Sequence, residues 1–112
     1  MSYSLKPGVV TGEDYKTLLK AAKEGGYALP AVNTVGTNSV NAVMEAAAKN
    51  KADVIIQFSN SAGQFYAGKS LEDAFEAKVI GSVSAAHHIH LMAEKYGICV
   101  VLHTDHANKG LI

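Results

Sequence analysis

The 112-residue sequence predicts an α/β fold built on a parallel sheet, and three observations carry that prediction. Short apolar runs alternate with helical patterns, an order that makes crossover connections between parallel strands. The runs are continuously apolar, as strands covered on both faces should be. Each run also turns polar at its C-terminal end, the end where parallel α/β folds place their sites.

The first element is a helix in "TGEDYKTLLKAAKEGG". Thr11 is a candidate cap, Glu13 and Asp14 suit the positive end of the dipole, and Tyr15, Leu18, Leu19 and Ala22 recur at helical spacing. Gly25 and Gly26 stop it. "YALPAVN" then reads as a strand ending at Asn33. "TNSVNAVMEAAAKNK" is a second helix with Val40, Val43, Met44 and Ala47 as its apolar stripe. "ADVIIQFSN" is a second strand, rich in β-branched residues. "SAGQFYAGKS" reads as a glycine-containing loop. "LEDAFEAKVIGSVSAAHHIHLMAEKYG" is helical in its second half and in part of its first, with Gly97 ending it. "ICVVLHTDH" is a third strand.

Composition bounds what such a fold does. The sequence is 48% hydrophobic and 18% charged, an ordinary globular balance, and its ten acidic residues match ten Lys with no Arg. Neither nucleic acid nor an anionic membrane surface is an expected partner. No run approaches the roughly 18 apolar residues of a membrane helix. The N-terminus lacks a signal-peptide core, and the expected setting is the cytoplasm. The single cysteine, Cys99, lies in "ICVVL" and reads as a small buried hydrophobe; no disulfide framework is possible. Phe58, Phe65, Tyr66 and Phe75 read as packing residues, and Lys69 as a solvated loop lysine.

The strand ends gather the chemistry. The first strand ends in Asn33, the second in Gln57, Ser59 and Asn60, the third in His103, Asp105 and His106. Residues two apart share a strand face, so Gln57 pairs with Ser59 and His103 with Asp105. Structural roles compete: Ser59 and Asn60 suit helix caps or turns, Asn33 suits loop backbone, and Asp105 suits a cap for a helix starting at His106. Burying two imidazoles beside a carboxylate is costly without a metal or a proton-transfer role, which favours function for "HTDH". His87 and His90 share a helix face at metal-binding spacing, but no carboxylate or thiol completes that set, and they read as helix-surface or packing residues.

The segments "KPGVVTGEDY", "ALPAVNTVGTNSVNAVMEAAAK", "VIIQFSNSAGQFYAGK", "GSVSAAHHIHLMAEKYG" and "VVLHTDHANK" together resemble the class II, zinc-dependent fructose-bisphosphate aldolases of the longer-chain type. The resemblance runs in order over essentially the whole sequence. It implies a partial (β/α)8 barrel of about the first three βα units, with residues 1–112 the N-terminal part of one incomplete barrel domain. It implies reversible cleavage of fructose 1,6-bisphosphate to dihydroxyacetone phosphate and glyceraldehyde 3-phosphate, active only in the complete enzyme. By the same resemblance Asp105 is the general acid/base at the C4 hydroxyl and His106 ligates the catalytic zinc. Ser59 contacts substrate on the glyceraldehyde-phosphate side, and Asn33 lies near substrate. The remaining zinc ligands would lie outside this chain, and the complete enzyme would be a homodimer or larger. Two departures stand out: "ANKGLI" follows the histidine where a basic pair is usual, and "NSAGQF" replaces a double-glycine run. Two alternatives stay open, a short non-catalytic binding module of aldolase origin and an aldolase for another ketose bisphosphate such as tagatose 1,6-bisphosphate.

Overall fold

The computed structural model describes residues 5–106. Its elements run β1 (Gly8–Val9), α1 (Gly12–Gly25), β2 (Ala31–Asn33), α2 (Thr37–Lys49), β3 (Val54–Ser59), α3 (Asn60–Ala67), α4 (Ala74–Tyr96) and β4 (Cys99–Asp105). All strand pairs are parallel, in the order β1-β4-β3-β2. The three expected strands are β2, β3 and β4, adjacent in chain order. The dipeptide β1 is an addition that pairs Gly8 with Cys99 and Val9 with Val100.

Strand alternation gives the sheet two different faces. Val54, Ile56 and Phe58 of β3 and Val100 of β4 are buried against Val40, Met44 and Ala47 of α2 and Ala85, Ile89 and Ala93 of α4. Ile55, Cys99 and Val101 lie on the opposite face, under α1, where Leu18 is 1% exposed. α1 covers only that lower part; Tyr15 and Leu19 of its predicted stripe stay exposed. Higher up, the same face carries polar side chains.

Helix boundaries follow from caps. Gly26 and Gly97 end α1 and α4 with φ of 69° and 71°, a left-handed turn that glycine adopts without strain. Thr11 occupies the position before α1 but makes no side-chain cap bond. Ahead of α2, the backbone N–H groups of Val35 and Gly36 donate to Ser39 Oγ. Asp73 starts α4, its Oδ1 accepting the Glu76 N–H at 3.0 Å.

One expectation about the elements needs correction. The stretch expected as a loop, "SAGQFYAGKS", is largely the helix α3. Ser59 caps it by accepting the Ala62 N–H at 3.2 Å, and the helix packs closely on α4. Tertiary packing here outweighs the weak helix propensity of Ser61 and Gly63. α4 spans Ala74–Tyr96, which covers the second half of the stretch expected to be helical and part of its first, and Gly97 ends it as expected. Among the aromatics, Phe58 is buried edge-on to Tyr66 with ring centroids 6.3 Å apart, whereas Phe65 and Phe75 are exposed. The "ANKGLI" departure lies outside the described residues.

Candidate active site

Register builds the site in rows. Asn33 of β2, Gln57 of β3 and His103 of β4 are mutual partners across the sheet, and Ser59 pairs with Asp105 one row above. Every one of these positions lies on the face whose lower half α1 covers. The rows therefore stand above an apolar floor of Ile55 and Val101, in the layered manner of barrel interiors.

The side chains are joined in a line. His103 Nδ1 lies 3.0 Å from Gln57 Oε1. Gln57 Nε2 donates to Asn33 Oδ1 at 2.9 Å. Asn33 Nδ2 donates to Asp105 Oδ2 at 3.1 Å. His106 Nε2 lies 3.3 Å from Asp105 Oδ1. Asn33 thus holds one Asp105 oxygen while His106 lies against the other, and the Asp105 side chain is 26% exposed against 93% for His106.

The backbone beneath Asn33 is fixed independently. Thr34, 1% exposed, bonds the Gln57 carbonyl with both its backbone N–H at 2.8 Å and its Oγ1 at 3.3 Å. That double contact locks the ends of β2 and β3 together, so Asn33 and Gln57 meet at a set height. Beyond Asp105 the chain turns sharply: His106 has φ of 51°, a left-handed conformation that is uncommon outside glycine.

Of the residues singled out in the sequence, Asn33, Asp105 and His106 come together. Ser59 sits beside Asp105 in register, yet its Oγ is engaged as the α3 cap. The two imidazoles are exposed rather than buried, because the upper half of this face is uncovered in the described chain. Gln57 and His103 were visible as polar strand-end residues, but their pairing depends on register, which no local pattern fixes. His87 and His90 are exposed on α4, away from this face, and His88 instead bonds Asn41 of α2 at 2.8 Å.

An imidazole suits zinc, and a neighbouring carboxylate suits the outer partner that a zinc-bound histidine requires. His106 with Asp105 fits one corner of such a centre. Among the described residues no group of three acids, thiols or imidazoles completes it. Among them, too, no helix is long and apolar enough to cross a membrane.

A family model described as fructose-bisphosphate aldolase class-II matches residues 13–111. The fructose-bisphosphate aldolase class 2 of Escherichia coli K12 is 54% identical over 110 residues, covering 96% of this chain and 31% of that protein. The fructose-bisphosphate aldolase of Borreliella burgdorferi is 48% identical over 110 residues, with the same 96% and 31% coverage. The crystal structure of fructose-bisphosphate aldolase from Campylobacter jejuni matches with a TM-score of 0.87 at 50% identity, over 96% of this chain and 30% of that one. The chain therefore spans just under a third of the length of these relatives.

Proposed function

The chain belongs to the class II fructose-bisphosphate aldolases, its fold is the opening part of their (β/α)8 barrel, and from that premise we propose that it forms the N-terminal part of an enzyme's barrel domain. The proposed reaction is reversible cleavage of fructose 1,6-bisphosphate to dihydroxyacetone phosphate and glyceraldehyde 3-phosphate. The observation that carries it is the meeting of Asn33 and Asp105 at 3.1 Å, from strands separated by a third.

Asp105 accepts the proton of the C4 hydroxyl as the C3–C4 bond breaks. The new aldehyde leaves, and the bonding electrons pass into an enediolate on the dihydroxyacetone phosphate half. Asp105 suits this role because Asn33 orients one of its oxygens, and a base works only within hydrogen-bond reach of its proton. His106 would hold one position of a zinc ion. Zinc, when bound, polarises the ketose carbonyl as a Lewis acid. Asn33 lies beside substrate, and Ser59, at the α3 N-terminus, faces the glyceraldehyde-phosphate side. The complete enzyme assembles as a homodimer or larger.

The test is a chimera joining residues 5–106 to the remainder of the Escherichia coli relative. Zinc-dependent cleavage of fructose 1,6-bisphosphate is expected. Asp105→Ala should lower kcat by about 10²–10⁴-fold, the usual worth of a positioned acid/base. His106→Ala should lose zinc, measured by metal analysis. A folded, zinc-loaded chimera that cleaves normally with Asp105→Ala sinks the assignment.

A further inference from the structure

We propose that Gln57 is a positioning residue: it fixes the orientation of the Asn33 amide and holds His103 in one tautomer, with the ring proton on Nδ1 and a bare lone pair on Nε2. The argument runs from the carboxylate outward. Asp105 Oδ2 accepts and does not donate, so the Asn33 atom 3.1 Å away is Nδ2. The amide is planar, so Asn33 Oδ1 faces the other way and needs a donor. Gln57 supplies it from Nε2 at 2.9 Å. Gln57 Oε1 then faces His103 Nδ1 at 3.0 Å, and a carbonyl oxygen only accepts. Nδ1 must therefore carry the proton. Running the line in the opposite sense would require the carboxylate to donate, so these four groups have a single consistent arrangement.

The direction has a chemical consequence. Gln57 engages one lone pair of the Asn33 oxygen and Asp105 takes one Nδ2 proton, leaving one N–H and one lone pair. The remaining Nδ2 proton of Asn33 is free for an acceptor on a ligand, such as a sugar hydroxyl oxygen or a phosphoryl oxygen. That step rests on the aldolase reading; the tautomer of His103 does not. At its far end the line leaves His103 Nε2 able to accept a proton or a hydrogen bond, an assignment set by what the other ring nitrogen does.

The test is nitrogen-15 NMR of the imidazoles in this chain, at mildly alkaline pH where imidazoles are neutral. His103 should show a protonated Nδ1 and an unprotonated Nε2, the minority tautomer of a free imidazole. Gln57→Leu removes the acceptor and should shift His103 towards the Nε2-protonated form, with backbone amide shifts confirming the fold. Gln57→Glu keeps an acceptor for Nδ1 but no donor for Asn33. It should preserve the His103 tautomer while moving the Asn33 side-chain amide signals. An Nε2-protonated His103 in the unsubstituted chain overturns the inference, even if no variant folds. So does a tautomer that stays put in folded Gln57→Leu. A chimera without aldolase activity would remove the reading of the substrate and leave the tautomer result standing.

Discussion

Asp53 shows at the residue scale how a single carboxyl is tolerated far from the chemistry. It sits at the N-terminal end of β3, 6% exposed, and its Oδ1 has no hydrogen-bond partner. Burial pushes its pKa above the ordinary 3.8. A carboxyl whose folded pKa is raised contributes most below its unfolded pKa, and that contribution is lost as pH rises through the folded value. Stability should therefore fall as pH climbs from about 4 towards neutrality. Asp53→Asn should flatten that slope, read as urea midpoints at the two ends of the range. Equal slopes in both proteins would show that Asp53 is not the group responsible. Nearby, burial first and then the charges of Asp53 and Asp14 push the Cys99 thiol up, which fits the inert cysteine that its apolar run predicts.

Elements meet most tightly where α3 crosses α4. Gly63 and Gly81 are buried at that crossing. A Cβ on Gly63 would lie 2.8 Å from Ser82 Oγ and 2.9 Å from the Lys78 carbonyl, and one on Gly81 would run into the Gly63 backbone carbonyl. Replacing a mid-helix glycine by alanine normally gains about 1 kcal/mol in helix propensity. Here backbone meets backbone, and overpacking costs about 1–3 kcal/mol or more. Gly81→Ala is thus expected to destabilise by about 2 kcal/mol net, the clash outweighing the propensity gain. An unchanged denaturation midpoint would show that the two helices separate freely. The crossing also explains why α3 escaped sequence reasoning. A stretch with two glycines lacks the signature of a helix when read alone, and its reason for being one lies on a partner about twenty residues away.

Across the whole molecule, one face of the sheet is sealed by α2 and α4, while the other is closed by α1 below and open above. Leu18 holds that floor, and Leu18→Ala is expected to cost about 2–5 kcal/mol and to speed proteolysis within α1. The chain alone should neither cleave fructose 1,6-bisphosphate nor bind zinc tightly; a sub-micromolar affinity in a zinc titration would contradict this. The parallel alternation of strands and helices was legible from periodicity, and so were the polar strand ends. What stayed hidden was lateral: which residue of β2 stands beside which of β3 and β4. The Asn33–Gln57–His103 row exists only through that register, and the exposed imidazoles only through the missing upper cover. The added strand β1 reaches furthest in its effect. Its amide at Gly8 and the amide of Val10 already occupy the carbonyls of Ile98 and Val100, so the lower margin of β4 is closed to any newcomer. A strand joining there must begin at Leu102, two residues or roughly 7 Å higher. Gly8 and Val9 thus work as a ruler: a dipeptide sets the height at which any further strand could pair with β4.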